Sequence, residues 1–385
     1  MPDVPGLNAV LSAEGWPYAS SGSVAPDDPG RFQALFGRDS LIVGLQLLPV
    51  RPDIAAAALR ALAQRQGRRT DPATQEEPGK IGHEFRDAPP AAFVAAGWPS
   101  RGEFRYFGTA DATCWFLVLL DAARDEQLVR ELDGAWRAAA SWLRDQLDRG
   151  GGLLRHGPGS QTGGLTQQGW RDTNDPLIDQ GGVLRPDGTV PRPPLADADT
   201  QAVTVAAIRA LTRLAPDEDW ADRLAMIRRL ITRHFVPDVV MLDADGPIAG
   251  PGSQLGWLLW ADAIEPEAVE VVADRLCDPN IATPFGLRTL ASSSPVFDPM
   301  AYHRGPVWPF DNWLGWGGLR AAGRLREAEA IRLGVLSAVE QLGGFPELYA
   351  VTLDGALARV PIANHVQAWT VGAVWALQHD WDGRR

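Results

Sequence analysis

Cysteine is almost missing from this chain: Cys114 and Cys277 are the only two in 385 residues, far apart and without C-x-x-C spacing. That excludes a disulfide framework and a cysteine-based zinc site. Lysine is scarcer still, Lys80 being the single one, so the positive charge is nearly all arginine, which we read as compositional bias without functional meaning. The six histidines are scattered and offer neither a His-Ser pair nor a metal cluster. No apolar run reaches the ~18 residues that a membrane span needs. The opening MPDVPGLNAVLSAEGW lacks a basic start followed by an apolar run, so it does not read as a signal peptide. A cytoplasmic protein without membrane association is the expectation. A net charge of −12 argues against tight, sequence-independent nucleic-acid binding. Phosphate cradles are absent as well, with no G-x-x-x-x-G-K-[ST] and no G-x-G-x-x-G after a strand. SGS at Ser21–Ser23 does not fit the G-x-S-x-G nucleophile elbow. No motif requires a cofactor or a metal.

What the chain has in quantity is apolar residues, 45% of the total, and tryptophan, 15 against 4 tyrosines. Indoles serve as platforms for the C–H faces of sugars and equally as core filler, and composition leaves both readings open. The apolar pattern is helical throughout. Helices are expected over Arg31–Leu48, Ile54–Arg65, Ala110–Ala123, Leu128–Leu147, Thr200–Leu214, Glu218–His234, Gln254–Ala263, Glu267–Leu276, Pro306–Ala322, Leu325–Gln341 and Val366–Gln378. Strand candidates are few and short, such as Gly152–His156 and Val239–Leu242. The helices come in pairs separated by long loops, and loops beyond ~12–15 residues in a compact domain are usually functional. Hairpins whose loops gather at one end would place polar residues around one cavity. With no linker or low-complexity tract, residues 1–385 read as one domain.

Those loops carry the chemistry. In GWRDTNDPL, Asp172 and Asp175 lie three apart beside Trp170 and Arg171, either as a proton donor held against an indole or as a polar turn. In GGFPELYA, Glu347 is the one acid in an apolar loop, a cap or a site residue. Asp39, in FGRDSL, suits the first turn of a helix, and with Phe36 and Arg38 it also suits gripping a polyol. His83 begins HEFR, which is not the zinc motif H-E-x-x-H. The thirteen residues Tyr302–Leu314, YHRGPVWPFDNWL, combine His303, Trp308 and an amide in a mixture that no core helix start requires. Gln367 lies in NHVQAW at another helix mouth. Paired carboxylates in an aromatic cavity are the chemistry that remains.

Taken in order, FGRDSL, GKIGHEFR, YFGTADAT, QQGWRDTNDP, FGLRTL, YHRGPVWPFDNWL, FPELY and HVQAW resemble the glycogen-debranching type of amylo-α-1,6-glucosidase catalytic domain, related to glycoside hydrolase families 15 and 63. YHRGPVW is also similar to the mannosylglycerate and glucosylglycerate hydrolases of family 63. The resemblance implies an all-α fold, an (α/α)6 barrel of helical hairpins whose long loops form the active-site pocket. It implies exo-acting, inverting hydrolysis of an α-glycoside, with a short oligosaccharide or small glycoside as partner. On the matching motifs Asp175 is the acid, with Asp172 its rival, and Glu347 is the base. Asp39 accepts hydroxyls of the terminal sugar. Arg38, Arg288, Trp170, Trp308 and Gln367 line the first subsite, Tyr302 and His303 stand on the leaving-group side, and Phe36, His83 and Arg171 complete the candidate set. An α-glucosidase is the leading expectation and a glycerate-glycoside hydrolase the second. Rivals of another class are a sugar epimerase using His303 and His365, or a sugar-binding protein without catalysis.

Overall fold

The computed structural model describes residues 3–384 apart from 23–29, 31, 96, 98–101, 158–163 and 174–180. Thirteen α-helices run through the described residues: α1 Gly37–Gln46, α2 Pro52–Gln64, α3 Ala91–Ala95, α4 Ala112–Ala122, α5 Glu126–Glu131, α6 Asp133–Arg149, α7 Ala198–Leu214, α8 Trp220–Phe235, α9 Gln254–Trp260, α10 Val269–Leu276, α11 Pro309–Ala321, α12 Leu325–Leu342 and α13 Ala368–Gln378. Two apolar patterns sort the long ones into two layers. In α4, ATCWFLVLLDA, ten consecutive residues are buried, so the helix is covered on all sides. Helix α8 instead buries Trp220, Ile227, Ile231 and Phe235 along one stripe and turns arginines outward. A helix apolar all round belongs inside and a striped one outside. The contacts agree: α1, α4, α7, α9, α11 and α13 touch in cyclic order, α13 closing back on α1, while α2, α6, α8, α10 and α12 each back onto the inner helix that precedes them.

The expected helices are all present, shifted by a few residues at their ends. One differs in kind. The pattern over Leu128–Leu147 predicts a single helix, whereas the chain forms α5, breaks at Leu132 and resumes as α6. Of the two strand candidates, Val239–Asp243 is a strand, but Gly152–His156 forms only the bridge from His156 to Leu195. The other strands are all short, and two of the four sheets among the described residues bear on the inner helices: β1 Leu35–Phe36, β2 Glu84–Arg86 and β3 Phe104–Tyr106 make one antiparallel sheet, and β4 Ala196–Asp197 pairs with that Val239–Asp243 strand. These two sheets lead directly into inner helices, β1 into α1 and β4 into α7.

Tryptophan fills the middle of the ring. Trp115 lies 5.9 Å from Trp257 and 5.7 Å from Trp260, which continues to Trp313 at 6.3 Å. Trp170 stacks on Trp257 at 5.9 Å with planes 10° apart. Trp115, Trp257 and Trp313 are fully buried, so most of the indole content is core. Glycine lets α9 and α11 approach closely: Gly256 on α9 faces Gly315 and Gly318 on α11, where a Cβ on Gly318 would overlap the Gly256 carbonyl oxygen.

That contact yields a test. Helix propensity alone favours alanine over glycine by up to ~1 kcal/mol, but overpacking costs roughly 1–3 kcal/mol or more. Gly318→Ala is therefore expected to destabilise by about 2 kcal/mol in urea denaturation. Gly134→Ala on α6, where a Cβ meets nothing within 4 Å, is expected to be neutral or slightly stabilising.

Candidate active site

The N-terminal ends of the inner helices hold the polar residues that the core excludes. At the start of α1, Gly37 donates its N–H to the His83 carbonyl at 2.9 Å. A Cβ there would collide with the Gly82 carbonyl, so glycine permits this approach. It brings Arg38 and Asp39 beside His83. The buried Arg38 guanidinium spends every arm: Nε on Asp111 (2.8 Å), Nη1 on Asp172 (2.7 Å), and Nη2 on Thr109 Oγ1 (3.3 Å) and the Gln168 and Gly169 carbonyls (3.4 and 2.8 Å). Burial works against its charge, but Asp111 and Asp172 outweigh that and raise its pKa.

Around this start lies a cavity of about 530 Å³. Phe36, Arg38, Asp39, His83, Trp170, Asp172, Tyr302, His303, Trp308, Glu347 and Gln367 all line it. Eleven of the fourteen residues singled out in the sequence thus meet in one place. Arg171 and Arg288 are not among the lining residues. Arg171 runs behind Trp170, 4.9 Å from its ring, to Asp199 (3.2 Å), the Thr289 carbonyl (2.7 Å) and Gln254 (3.3 Å). Arg288 holds the Val351 and Thr352 carbonyls at 2.8 and 3.0 Å. Both arginines brace the wall. Asp175 lies outside the described residues.

Glu347 is buried and fixed at both oxygens. Tyr302 donates its hydroxyl to Oε1 at 2.5 Å, and Asn364 donates its backbone N–H (3.0 Å) and Nδ2 (3.1 Å) to Oε2. All three groups donate, an arrangement that suits an anionic carboxylate. Burial beside Glu347 pushes the Tyr302 phenol far above its usual pKa, so it stays a donor. His303 accepts the Gly182 N–H at Nδ1 (3.0 Å) and stacks on Trp308 at 5.2 Å. Burial, then Arg171 and Arg38, hold it well below the ordinary imidazole value, so the ring is neutral with its proton on Nε2. His83 is likewise held neutral, first by burial. Asp39 is 6% exposed and its pKa rises to about 7, driven by burial against the pull of Arg38 and reinforced by Asp172, Glu347 and Asp111.

Several lining residues were not singled out: Glu84, Arg86, Tyr106, Phe93 and Trp369. The first two follow His83 in HEFR and Trp369 closes NHVQAW, so proximity to a chosen residue was the available signal. Phe93 carries none. His365 is exposed and outside the lining, so it does not face His303 across the cavity. A second cavity, about 790 Å³, surrounds Lys80, which is buried, 5.8 Å from the Trp142 ring, with a pKa lowered to about 8 by burial. Its Glu77 is already taken by Trp142, Gln146 and Arg149. Among the described residues no group of three His, Cys, Asp or Glu could hold a metal ion, and no helix is long and apolar enough to cross a membrane.

Residues 39–370 match the family model described as the mannosylglycerate hydrolase MGH1-like glycoside hydrolase domain. Among solved structures, a family 63 mannosylglycerate hydrolase of Thermus thermophilus in complex with Tris and D-glycerate is similar at TM-score 0.67 and 17% identity, over 97% of this chain and 98% of that one. The same enzyme in complex with glucose gives TM-score 0.67 and 18% identity over 98% of each chain. At such identity the likeness speaks for the fold alone. A sequence comparison with curated proteins finds no match.

The Asp39 carboxyl supplies a pH test. Its folded pKa, about 7, lies above the ordinary aspartate value of 3.8. The folded chain therefore keeps this proton longer, and the contribution of this carboxyl to stability falls as pH rises from about 4 to 7, then levels off. Asp39→Asn removes that slope. At pH 8 the variant is expected to exceed the wild type by roughly 2–4 kcal/mol, and at about pH 4 to match it. Urea titrations at the two pH values measure the difference.

Proposed function

Since the chain belongs to the MGH1-like family of glycoside hydrolases, we propose that it is an exo-acting, inverting α-glycosidase whose leading substrates are α-glucosides, α-1,6-linked or short. That it hydrolyses glycosidic bonds follows from the family; linkage, sugar and stereochemistry are our reading. We read the cyclic helix pairs as an (α/α)6 barrel of one domain. The observation that carries the proposal is Glu347: buried, gripped by three donors, and facing the cavity that Asp39 and Asp172 share.

In this reading the terminal sugar enters among the buried carboxylates. Asp39 accepts its hydroxyl protons, and Trp170, Trp308 and Trp369 offer apolar ring surface to its C–H faces. Glu347, ionised, draws a proton from a water molecule, and that oxygen attacks the anomeric carbon. Asp175 protonates the departing oxygen from the opposite face. Asp172 is then the rival acid; its ion pair with Arg38 at 2.7 Å favours the charged form, which suits holding a sugar hydroxyl better than donating a proton. An inverting pair is separated by roughly 6.5–9.5 Å to admit the water. Mannosylglycerate hydrolysis is the second reading, favoured by the description of the matching family.

Glu347→Gln and Asp175→Asn are each expected to lower kcat by about 10²–10⁴-fold with the melting temperature little changed. Proton NMR of the first sugar released should show the β-anomer from an α-glycoside. Release of the α-anomer, or near-normal turnover by both variants, refutes the assignment.

A further inference from the structure

Arginine supplies nearly all the positive charge of this chain, and the one lysine stands in an unusual place. Lys80 is buried in the wall of the second cavity, about 790 Å³. Its ammonium carries three donors. Against them the protein offers the Gln75 carbonyl at a long 3.5 Å and the face of Trp142 at 5.8 Å. Glu77 is the carboxylate whose charge it feels, but Glu77 is held by Trp142, Gln146 and Arg149 and forms no ion pair with it. Burial lowers the Lys80 pKa only to about 8, so the group stays mainly charged near pH 7.

A second cation lines the same cavity. Arg155 is half-buried, donates Nε to the Gly150 carbonyl at 3.3 Å and pairs with no carboxylate, which leaves its Nη groups uncommitted. The acids of the lining are engaged elsewhere or exposed. Glu76 accepts the Arg68 N–H at 2.9 Å and pairs with Arg69 at 3.4 Å. Asp71 accepts the Ala73 N–H at 3.0 Å and also pairs with Arg69. Asp145 is exposed. Residues 158–163, which continue the chain from Gly157 of the lining, read PGSQTG and contain no carboxylate. A compact ammonium short of acceptors, with a guanidinium whose N–H groups are free, is a donor set for an oxyanion. The volume lies in the range of small-molecule sites.

We propose that this second cavity binds a small molecule bearing an oxyanion, a carboxylate or a phosphate ester, through Lys80 and Arg155. The site is separate from the candidate active site, since the two cavities share no lining residue. They stand back to back. Gln75, with φ 59°, gives its carbonyl to Lys80 while its side chain meets Tyr106 Oη (3.4 Å) and Gln168 Nε2 (2.7 Å). Tyr106 lines the first cavity, and the Gln168 carbonyl receives Arg38.

Because Lys80 is the only lysine, reductive methylation by formaldehyde and cyanoborohydride, read by mass spectrometry, reports on this site, with the α-amino group as internal control. Inorganic phosphate at ~20 mM should slow Lys80 methylation about threefold or more relative to chloride of equal ionic strength, and leave the α-amino rate unchanged. A parallel arm with acetate separates the two ligand chemistries: protection by phosphate alone assigns a phosphate ester, and protection by acetate a carboxylate. Protection by neither, or a Lys80 that fails to react without them, overturns the site. Arg155→Ala should at least halve the protection; a folded variant that keeps it in full overturns the two-cation arrangement.

Discussion

One buried guanidinium organises the end of this molecule that holds the cavity. Arg38 reaches Asp111 at the start of α4, Thr109 just before it, the carbonyls of Gln168 and Gly169, and Asp172. Taking that charge out of water costs several kcal/mol unless every donor finds an acceptor, and here each nitrogen does. The loop 164–173 is thus nailed to two inner helices before any substrate arrives. Loss of the arginine would leave Asp111 as an uncompensated charge in the interior, so fold and site fail together.

Closure of the ring supplies the other half. Asp39 sits on the first inner helix, Gln367 immediately precedes the last, and Glu347 hangs from Asn364 just before it. Contact between α13 and α1 unites residues more than 300 positions apart in the chain. A loop this long closes at little more entropic cost than a shorter one, and the buried faces of both helices offset it. Helices α1, α11 and α13 also bring their positive ends to the cavity, a background that tempers the crowd of carboxylates without supplying a mobile cation.

Much of this was legible. Helices α4 and α13 announce themselves by the apolar runs CWFLVLL and VGAVWAL, and α2 and α8 by their stripes. The gathering of polar motifs at helix starts was also readable, because a core cannot absorb YHRGPVW or NHVQAW. What failed to show was which arginine lines the cavity. Arg38, Arg171 and Arg288 all adjoin site motifs, yet burial turned Arg171 onto Asp199 and Arg288 onto backbone carbonyls, a choice made by tertiary partners far off in sequence. The break at Leu132 escaped because leucine carries no stop signal; Asp125 capping α5 with bonds to Gln127 and Leu128 was the visible half of that junction. Tryptophan was ambiguous for a physical reason: the same ring can fill a core or line a cavity, and Trp170 does both, stacked on Trp257 and facing the cavity.

The indole ladder from Trp170 through Trp257, Trp115 and Trp260 to Trp313 has an optical corollary. Chromophores this near one another exchange excitation faster than they emit, so a photon absorbed at the far end of the ladder samples the ring that faces the cavity. Occupancy at that single ring would colour the fluorescence of the whole ensemble, giving the molecule a built-in lamp whose brightness follows what it holds.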